Sequence, residues 1–401
     1  MAASSLATWL ATRGHEVCVL TSAPRPDQAG SHRDRDGVQV ERRFFRNSYS
    51  VYDIEERTVW QKAAWHFRDH FHIETEAVCR EVIEDFQPDI ANTHDVQGIG
   101  YNLLREIGWQ GLPCVQVLHD FGFLCVNMRM FHKGRACQWR HLSCFASGWV
   151  KRGYLASIER LAFWSPSQAL LERYRPHLPS HLEAACIQLP LLFSKPSRQV
   201  SCRSTNSRPR LLYVGQVIPT KGIDFVLSIL AELSARFDFE FTIVGGGASL
   251  DMLREKYAGA DWVTFTGRVM PEAVADFMSQ ADLLVIPSLW FENSPLVAYQ
   301  AIQLGLPILA SDIGGVPELV HSGVNGELLP PGDAPSWTAR LSAILSAPDT
   351  LRDYHSGAEG LSRSFDPDML GETVVKLFER TVAGKNGRAS AEGAVISALH
   401  A

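Results

Sequence analysis

Leu211-Leu212-Tyr213-Val214-Gly215 opens a segment in which short apolar runs rich in branched residues recur: FEFTIVGGG from Phe239, VTFTG from Val263, LLVIPS from Leu283 and PILAS from Pro307. Helical patterns fill the intervals over 223–234, 249–257, 271–280 and 295–303. Runs apolar at successive positions read as strands buried on both faces. Strands separated by a helix of about ten residues run parallel, because a crossover of that length is needed to return the chain to the same edge. The segment therefore reads as a doubly wound α/β unit.

The upstream residues follow the same plan. An amphipathic helix over 4–12 stops at Arg13-Gly14-His15, and a strand follows over 16–21. Further on come a helix over 72–86, a strand over 89–94, a helix over 103–107 and a strand over 113–118 that ends in His119-Asp120. Between the two regions, SKPSRQVSCRSTNSRPR (194–210) contains two Pro, five Ser and no acidic residue, the composition of a linker. A chain of 401 residues exceeds the roughly 250 to 300 over which one core grows. The expected fold class is α/β, two Rossmann-like doubly wound parallel-sheet domains: 1–193, the linker 194–210, 211–381, and a mobile tail over 382–401. Two such domains are expected to take ligands in the cleft between them, on loops that follow strands.

Composition excludes several classes. Hydrophobic residues make up 46% and charged residues 20%, which argues against a disordered or fibrous chain. A net charge of −6 provides no global basic field for nucleic acid, so an anionic partner must meet a local patch. No run approaches the roughly 18 apolar residues of a membrane span, and the N-terminal stretch lacks the basic start of an export signal. Cytoplasmic residence is expected, with the eight widely spaced Cys as reduced thiols.

Candidate chemistry concentrates on PSLWFENSPLVAYQ (287–300), which follows a strand. Ser294 and Pro295 read as an N-cap and first-turn pair, so a helix N-terminus would turn free amides and its positive dipole end toward an anion such as a diphosphate. Glu292, just before that cap, reads either as an electrostatic cap or as a ligand for sugar hydroxyls. In the loop after the first strand of this region, Lys221 beside Gly222 reads either as a solvated lysine or as a phosphate contact.

VGQVIPTKGIDFVL, FTIVGGG, FTGRVMPEAVADFMSQADLLVIPSLWFENSPLV and GLPILASDIGGVPELVHSGVNGELLPPGD stand in the order of the retaining GT-B glycosyltransferases of the family-4 type (glycosyl transferases group 1), which this chain resembles. The resemblance is strong over 211–333 and moderate over 6–21 and 88–120. It implies a hexosyltransferase-like enzyme that moves a sugar from a nucleotide-diphosphate donor to a glycan or lipid-linked acceptor with retention of configuration, without cofactor or metal. It also implies that Lys221 contacts the diphosphate, with Gly215 and Gln216 in the same loop. Gly267, Arg268 and Val269 would flank the base. Glu292 would hold sugar hydroxyls, and the segment Asn293, Ser294, Pro295 and Leu296 would meet sugar and phosphate through its backbone amides, proline excepted. His119 would lie near the reacting centre, with His94 shaping the acceptor side.

Three departures from that pattern stand out. Gln216 replaces the usual Arg, removing a charge-assisted bond of about 1.5 to 3 kcal/mol. Gln300 replaces the second carboxylate, eight residues after Glu292, which would meet ribose hydroxyls. The first strand of the N-terminal domain is apparently missing, since the helix begins at once. These departures keep a noncatalytic nucleotide-sugar-binding or partner-binding relative open as the alternative, and a GT-B nucleotide-sugar epimerase as a weaker one.

The stretch 129–152 carries Arg129, Lys133, Arg135, Arg140, Lys151 and Arg152, interleaved with Phe131, Trp139, Phe145 and Trp149, and no acidic residue. It reads either as a solvated basic loop or as a peripheral contact with an anionic membrane at the inner face. Cys125, Cys137 and Cys144 in this region lack the short paired steps of a zinc motif. Gly245-Gly246-Gly247 is a strand-to-helix turn without the wider dinucleotide fingerprint.

Overall fold

A computed structural model describes residues 1–49, 57–132, 135–137, 140–194, 208–384 and 395–399. The chain forms two compact units. One comprises Met1–His132, Cys137–Leu192 and the residues from Pro367 onward, and the other is chiefly Phe193–Asp366.

The second unit is built on six parallel strands in the order Val263–Gly267, Glu240–Val244, Arg210–Val214, Leu283–Ile286, Ile308–Ser311, Gly326–Leu329. The expected strands and helices of this region are present, most with ends moved by a residue or two. Ile223–Leu233 packs Val226, Leu227 and Leu230 into a core shared with Phe239, Phe241 and Trp337. Each large side chain removed from water there contributes about 1.5 to 3 kcal/mol, and the Trp337 indole NH donates to Pro330 O at 3.0 Å.

The first unit holds an eight-stranded sheet in the order Gly30–Arg33, Gln39–Arg43, Val17–Ser22, Val395–Leu399, Ile90–Thr93, Cys114–Val117, Leu161–Ser165, Glu183–Cys186. Here two expectations are corrected. The inner strand that looked absent at the front of the chain is supplied from its far end. Residues 395–399, expected to be mobile, pair in parallel with Val17–Ser22 on one side and Ile90–Thr93 on the other. The physical reason is the demand of two buried edges: without a strand between them, both neighbours would carry unpaired peptide groups inside the protein.

The boundary expected at 381 also differs, because Pro367–Ala383 joins the first unit. A Cβ on Gly371 would lie 2.5 Å from Trp9 Cε2, so the helix is seated directly on the indole. Trp9 Nε1 donates to Asp368 Oδ1 at 2.8 Å, Arg13 is ion-paired with Asp368, and Arg160 Nη1 donates to Val382 O at 2.9 Å. Of the expected linker, residues 195–207 lie outside the described residues, and Arg210 already belongs to a strand. No described helix is long and apolar enough to cross a membrane.

Proline at Ile396, whose ladder partners are Cys18 and Ala91, removes an N–H inside the sheet, where proline is essentially confined to edges and bulges. Hydrogen exchange should show Ile396→Pro losing protection at Val17–Ser22 and Ile90–Thr93, while Arg210–Val214 and Leu283–Ile286 keep theirs. Unchanged protection at the first pair would mean that those strands do not depend on the added one.

Candidate functional site

In the second unit, Arg210–Val214 lies between Glu240–Val244 and Leu283–Ile286. The chain winds outward on one side of this strand and then continues on the other, so the loops leaving Arg210–Val214 and Leu283–Ile286 diverge and open a crevice at the carboxyl ends of the strands. Lys221 lies on the first loop and Glu292 on the second.

Both loops are seated by glycines in the left-handed region. Gly222 has φ 70°, and a Cβ there would fall 1.9 Å from Pro287 O, so only glycine lets the lysine loop lie against the glutamate loop. Gly314, at φ 61°, meets the Glu292 carbonyl in the same way, a Cβ there lying 2.0 Å from it. Gly315 N donates to that carbonyl at 2.8 Å. Three strand ends therefore fix the backbone of Glu292.

The Glu292 side chain is 9% exposed. Its Oε1 accepts from Lys221 Nζ at 2.5 Å, Ser288 Oγ at 2.6 Å and Trp290 Nε1 at 3.1 Å. The ammonium also lies 5.5 Å from the centre of the Trp290 ring. Burial, with the Glu292 charge nearby, raises the Tyr213 phenol, whose hydroxyl donates to Gln216 O at 2.6 Å. Ser288 and Trp290 were missed in the sequence, although their alternate spacing with Glu292 is the signal that would have found them.

The structure gathers the other residues into two groups. Gly215 N donates to Val244 O, Val217 N to Gly246 O and Gly245 N to Gly267 O, which laces the turns after three adjacent strands together. Arg268 is exposed and lies against Gly246, Val269 is half-buried beside it, and Gln216 is exposed. Asn293, Ser294, Pro295 and Leu296 are half-buried at the start of Leu296–Gln303, and Gln300 is buried within that helix. The expected cap is corrected here. Pro295 holds the cap position, no side chain caps the helix, and Ser294 Oγ is instead 2.7 Å from the Tyr299 hydroxyl.

His119 belongs to the first unit, where His94 and His119 leave adjacent strands. Asn92 Nδ2 donates to Val115 O at 2.9 Å, so its Oδ1 must accept from His94 Nε2 at 2.8 Å. A neutral His94 then has only Nδ1 to accept with, and it takes the proton of His119 Nε2 at 2.7 Å. His119 is left with Nδ1 as its acceptor nitrogen. Burial and the neighbouring His119 hold His94 far below its usual range, and burial lowers His119 to about 4. Both rings line a pocket with Asp95, Tyr101, Asp120 and Phe123. Lys151, expected in a basic surface stretch, is instead buried. Its Nζ donates to Gly122 O at 2.8 Å and lies 3.8 Å from the centre of the Tyr101 ring, close to the charges of Asp69 and Asp120. Burial raises both of those carboxyls. Asn92 was missed too, though it shares a strand face with His94 two residues on.

Comparison with known proteins agrees with this two-part layout. Residues 1–176 match the model of the glycosyl transferase 4-like domain, and 208–347 match that of glycosyl transferases group 1. The chain is 32% identical over 149 residues to the alpha-D-kanosaminyltransferase of Streptomyces kanamyceticus, covering 36% of this chain and 38% of that protein. It spans less than half the length of that and the phosphatidyl-myo-inositol mannosyltransferase of Mycolicibacterium smegmatis, to which it is 31% identical over 178 residues, 44% of this chain and 46% of that one. The fold resembles sucrose-phosphate synthase from Thermosynechococcus elongatus, with TM-score 0.72, 19% identity and coverage of 94% and 92% of the two chains. It also resembles Anabaena HepE in complex with UDP, with TM-score 0.61, 15% identity and coverage of 90% and 99%.

The ionisation of His119 has a definite sign. Its folded value near 4 lies below the ordinary 6.5, so the unfolded chain binds the proton first, and stability falls as pH drops from 6.5 toward 4. The contribution approaches about 1.4 kcal/mol per pH unit. Thermal unfolding across that window should show a steeper loss for the parent than for His119→Asn. Equal slopes would mean that His119 titrates normally.

Proposed function

We propose that the chain is a glycosyltransferase of group 1, the family whose domain models match residues 1–176 and 208–347 and whose GT-B kind of fold it has, and that it transfers a hexose from a nucleotide-diphosphate sugar to a glycan or lipid-linked acceptor with retention of configuration. The observation that carries this reading is the Lys221–Glu292 pair at the crevice of the second unit. HepE, whose fold this unit shares, holds UDP, which supports a nucleotide donor.

Breaking the bond between the sugar C1 and the diphosphate oxygen puts negative charge on the leaving group and positive charge on the ring. A fixed cation aimed at the leaving group stabilises that transition state. Lys221 supplies the cation, and the backbone N–H groups of Asn293, Ser294 and Leu296 face the same anion. Glu292 holds Lys221 in place until a diphosphate competes for the ammonium, and the carboxylate oxygen is then released to accept from sugar hydroxyls. Arg268 and Val269 flank the base, beside the turn that holds Gly215, Gln216 and Gly267. The acceptor oxygen bonds to C1 on the face the diphosphate leaves, and its proton passes to the departing phosphate. No protein nucleophile, cofactor or metal enters the scheme. His119 is held in orientation by the chain through His94 to Asn92.

The second reading, a relative that binds the donor without transfer, is favoured by Gln216 and Gln300. Both lack the charge that would strengthen donor contacts.

Lys221→Ala and Glu292→Ala should each lower transfer by about a hundredfold or more, the loss typical of removing one transition-state contact, with far-UV circular dichroism unchanged. The measurement is product formation and nucleotide release across a panel of UDP- and GDP-sugars. Near-parental transfer by both variants would remove the donor-site assignment, and donor binding without transfer by the parent would favour the second reading.

A further inference from the structure

Two helices of the first unit expose a stripe of apolar side chains while burying charged and polar ones, alongside Trp65 on the first and Leu155 on the second. Val59–His70 starts at a capping box made by Thr58 and Gln61. Trp60, Ala63, Ala64 and Phe67 form a stripe that continues to Phe71, at the three- and four-residue spacing with which a helix normally faces a core. Here the stripe points away from the protein, with Trp60 85% and Phe67 68% exposed, while Asp69 and His70 on the same helix are buried. Leu142–Leu155 repeats the inversion. Leu142, Phe145, Ala146 and Trp149 are exposed, Leu142 by 90% and Trp149 by 69%, while Ser147 and Lys151 are buried.

The helices are locked to each other by polar contacts. His70 Nδ1 donates to His66 O, so its Nε2 accepts from Ser147 Oγ at 2.8 Å, and the Tyr154 hydroxyl donates to His70 O at 2.7 Å. The two stripes thus belong to one rigid surface, of the kind that shallow lipid contact requires.

Exposed charge on these two helices has one sign. Asp69 is the one carboxylate of the two helices, and it is buried. Arg140 and Arg152 converge over Gly148, where a Cβ would lie 3.0 Å from Arg152 Nη1 and 3.8 Å from Arg140 Nη1. Both Nη1 atoms are buried and lack a hydrogen-bond partner. Arg140 also stacks over Phe145 at 5.4 Å, which ties the cations to the apolar stripe. Burial and the charge of Arg140 lower Arg152, and both arginines act on His177. Arg140 and Arg152 are each only half-buried as residues, and two adjacent guanidiniums match the oxygens of one phosphate.

We propose that this surface docks shallowly on an anionic lipid bilayer, with Trp60, Phe67, Leu142 and Trp149 entering the interface and Arg140 and Arg152 holding a lipid phosphate between them. The inference does not depend on the donor site. It extends the basic stretch recognised in the sequence to a second helix, and it leaves out Lys151, which is buried. A second copy of the chain is a poor occupant, because a two-fold contact would bring a second set of the same cations to the interface with no exposed carboxylate on these helices to offset them.

The test is co-sedimentation of the full chain with phosphatidylcholine vesicles, with and without phosphatidylglycerol, at low and high salt. The parent should bind only the phosphatidylglycerol vesicles, more weakly at high salt. Arg140→Gln with Arg152→Gln should weaken that binding at least about tenfold. Trp60→Ser with Trp149→Ser should abolish retention even at low salt, with both variants folded by circular dichroism. Failure of the parent to bind, equal binding to both vesicle types, or full binding by the arginine variant would each overturn the proposal. A thermal shift by inorganic phosphate that is lost in the arginine variant, while vesicles are not bound, would make the pair a soluble-phosphate site and overturn the docking. Capture of an acidic protein without vesicle binding would do the same.

Discussion

Every peptide group of a parallel strand buried on both faces needs a partner on one edge or the other, since the interior offers no water to take the place of a missing neighbour. This constraint governs both units. In the second it is met locally, by strands that follow one another through short helices. In the first it is met over the length of the chain. The slot between Val17–Ser22 and Ile90–Thr93 is filled by Val395–Leu399, and the Pro367–Ala383 helix is drawn onto Trp9 on the way.

The same winding that satisfies the sheets produces the candidate chemistry. A sheet that grows outward from a central strand in both directions must part its loops at that strand. In the second unit the parting is occupied by Lys221 and Glu292, brought together across 71 positions of sequence. The ion pair stands in a buried, glycine-seated frame, so neither side chain must search for its geometry. Its net stabilisation is secondary, because taking both charges out of water offsets much of their attraction. Its value is positional: a buried carboxylate with three donors on one oxygen is held ready, and an incoming anion changes which of them it keeps.

In the first unit, polar groups are spent inward. Lys151, Asp69, Asp120, His94 and His119 crowd the loops behind the sheet, and burial shifts each away from its usual ionisation. The helices that cover this cluster turn polar residues toward it, and Trp60, Phe67, Leu142 and Trp149 are left on the outside. The same two helices thus carry both the polar groups of the buried cluster and the exposed apolar stripe, with Trp65 and Leu155 completing the inward faces.

The sequence alone determined the class of fold, the two-domain plan and the strands of the second unit, because local hydrophobic period and chain punctuation act over ten residues or fewer. VTFTG at 263–267 and the helix 271–280 have the bounds their patterns imply. It also singled out Lys221, Glu292 and His119, whose residue types follow strand ends. Tertiary structure alone decided which partners they take. Ser288 and Trp290 on Glu292, and Asn92 behind His94, arise from turns and strand registers that no local pattern encodes. Ser294 looked like a cap by type, yet Tyr299 one turn on claimed its hydroxyl. Lys151 looked like one more surface cation, and only the fold set it among buried carboxylates. The placement of 395–399 is the extreme case: a five-residue, mostly apolar run near the end of the chain has no intrinsic address, and the unpaired edges of strands more than 300 residues earlier in the sequence supply one.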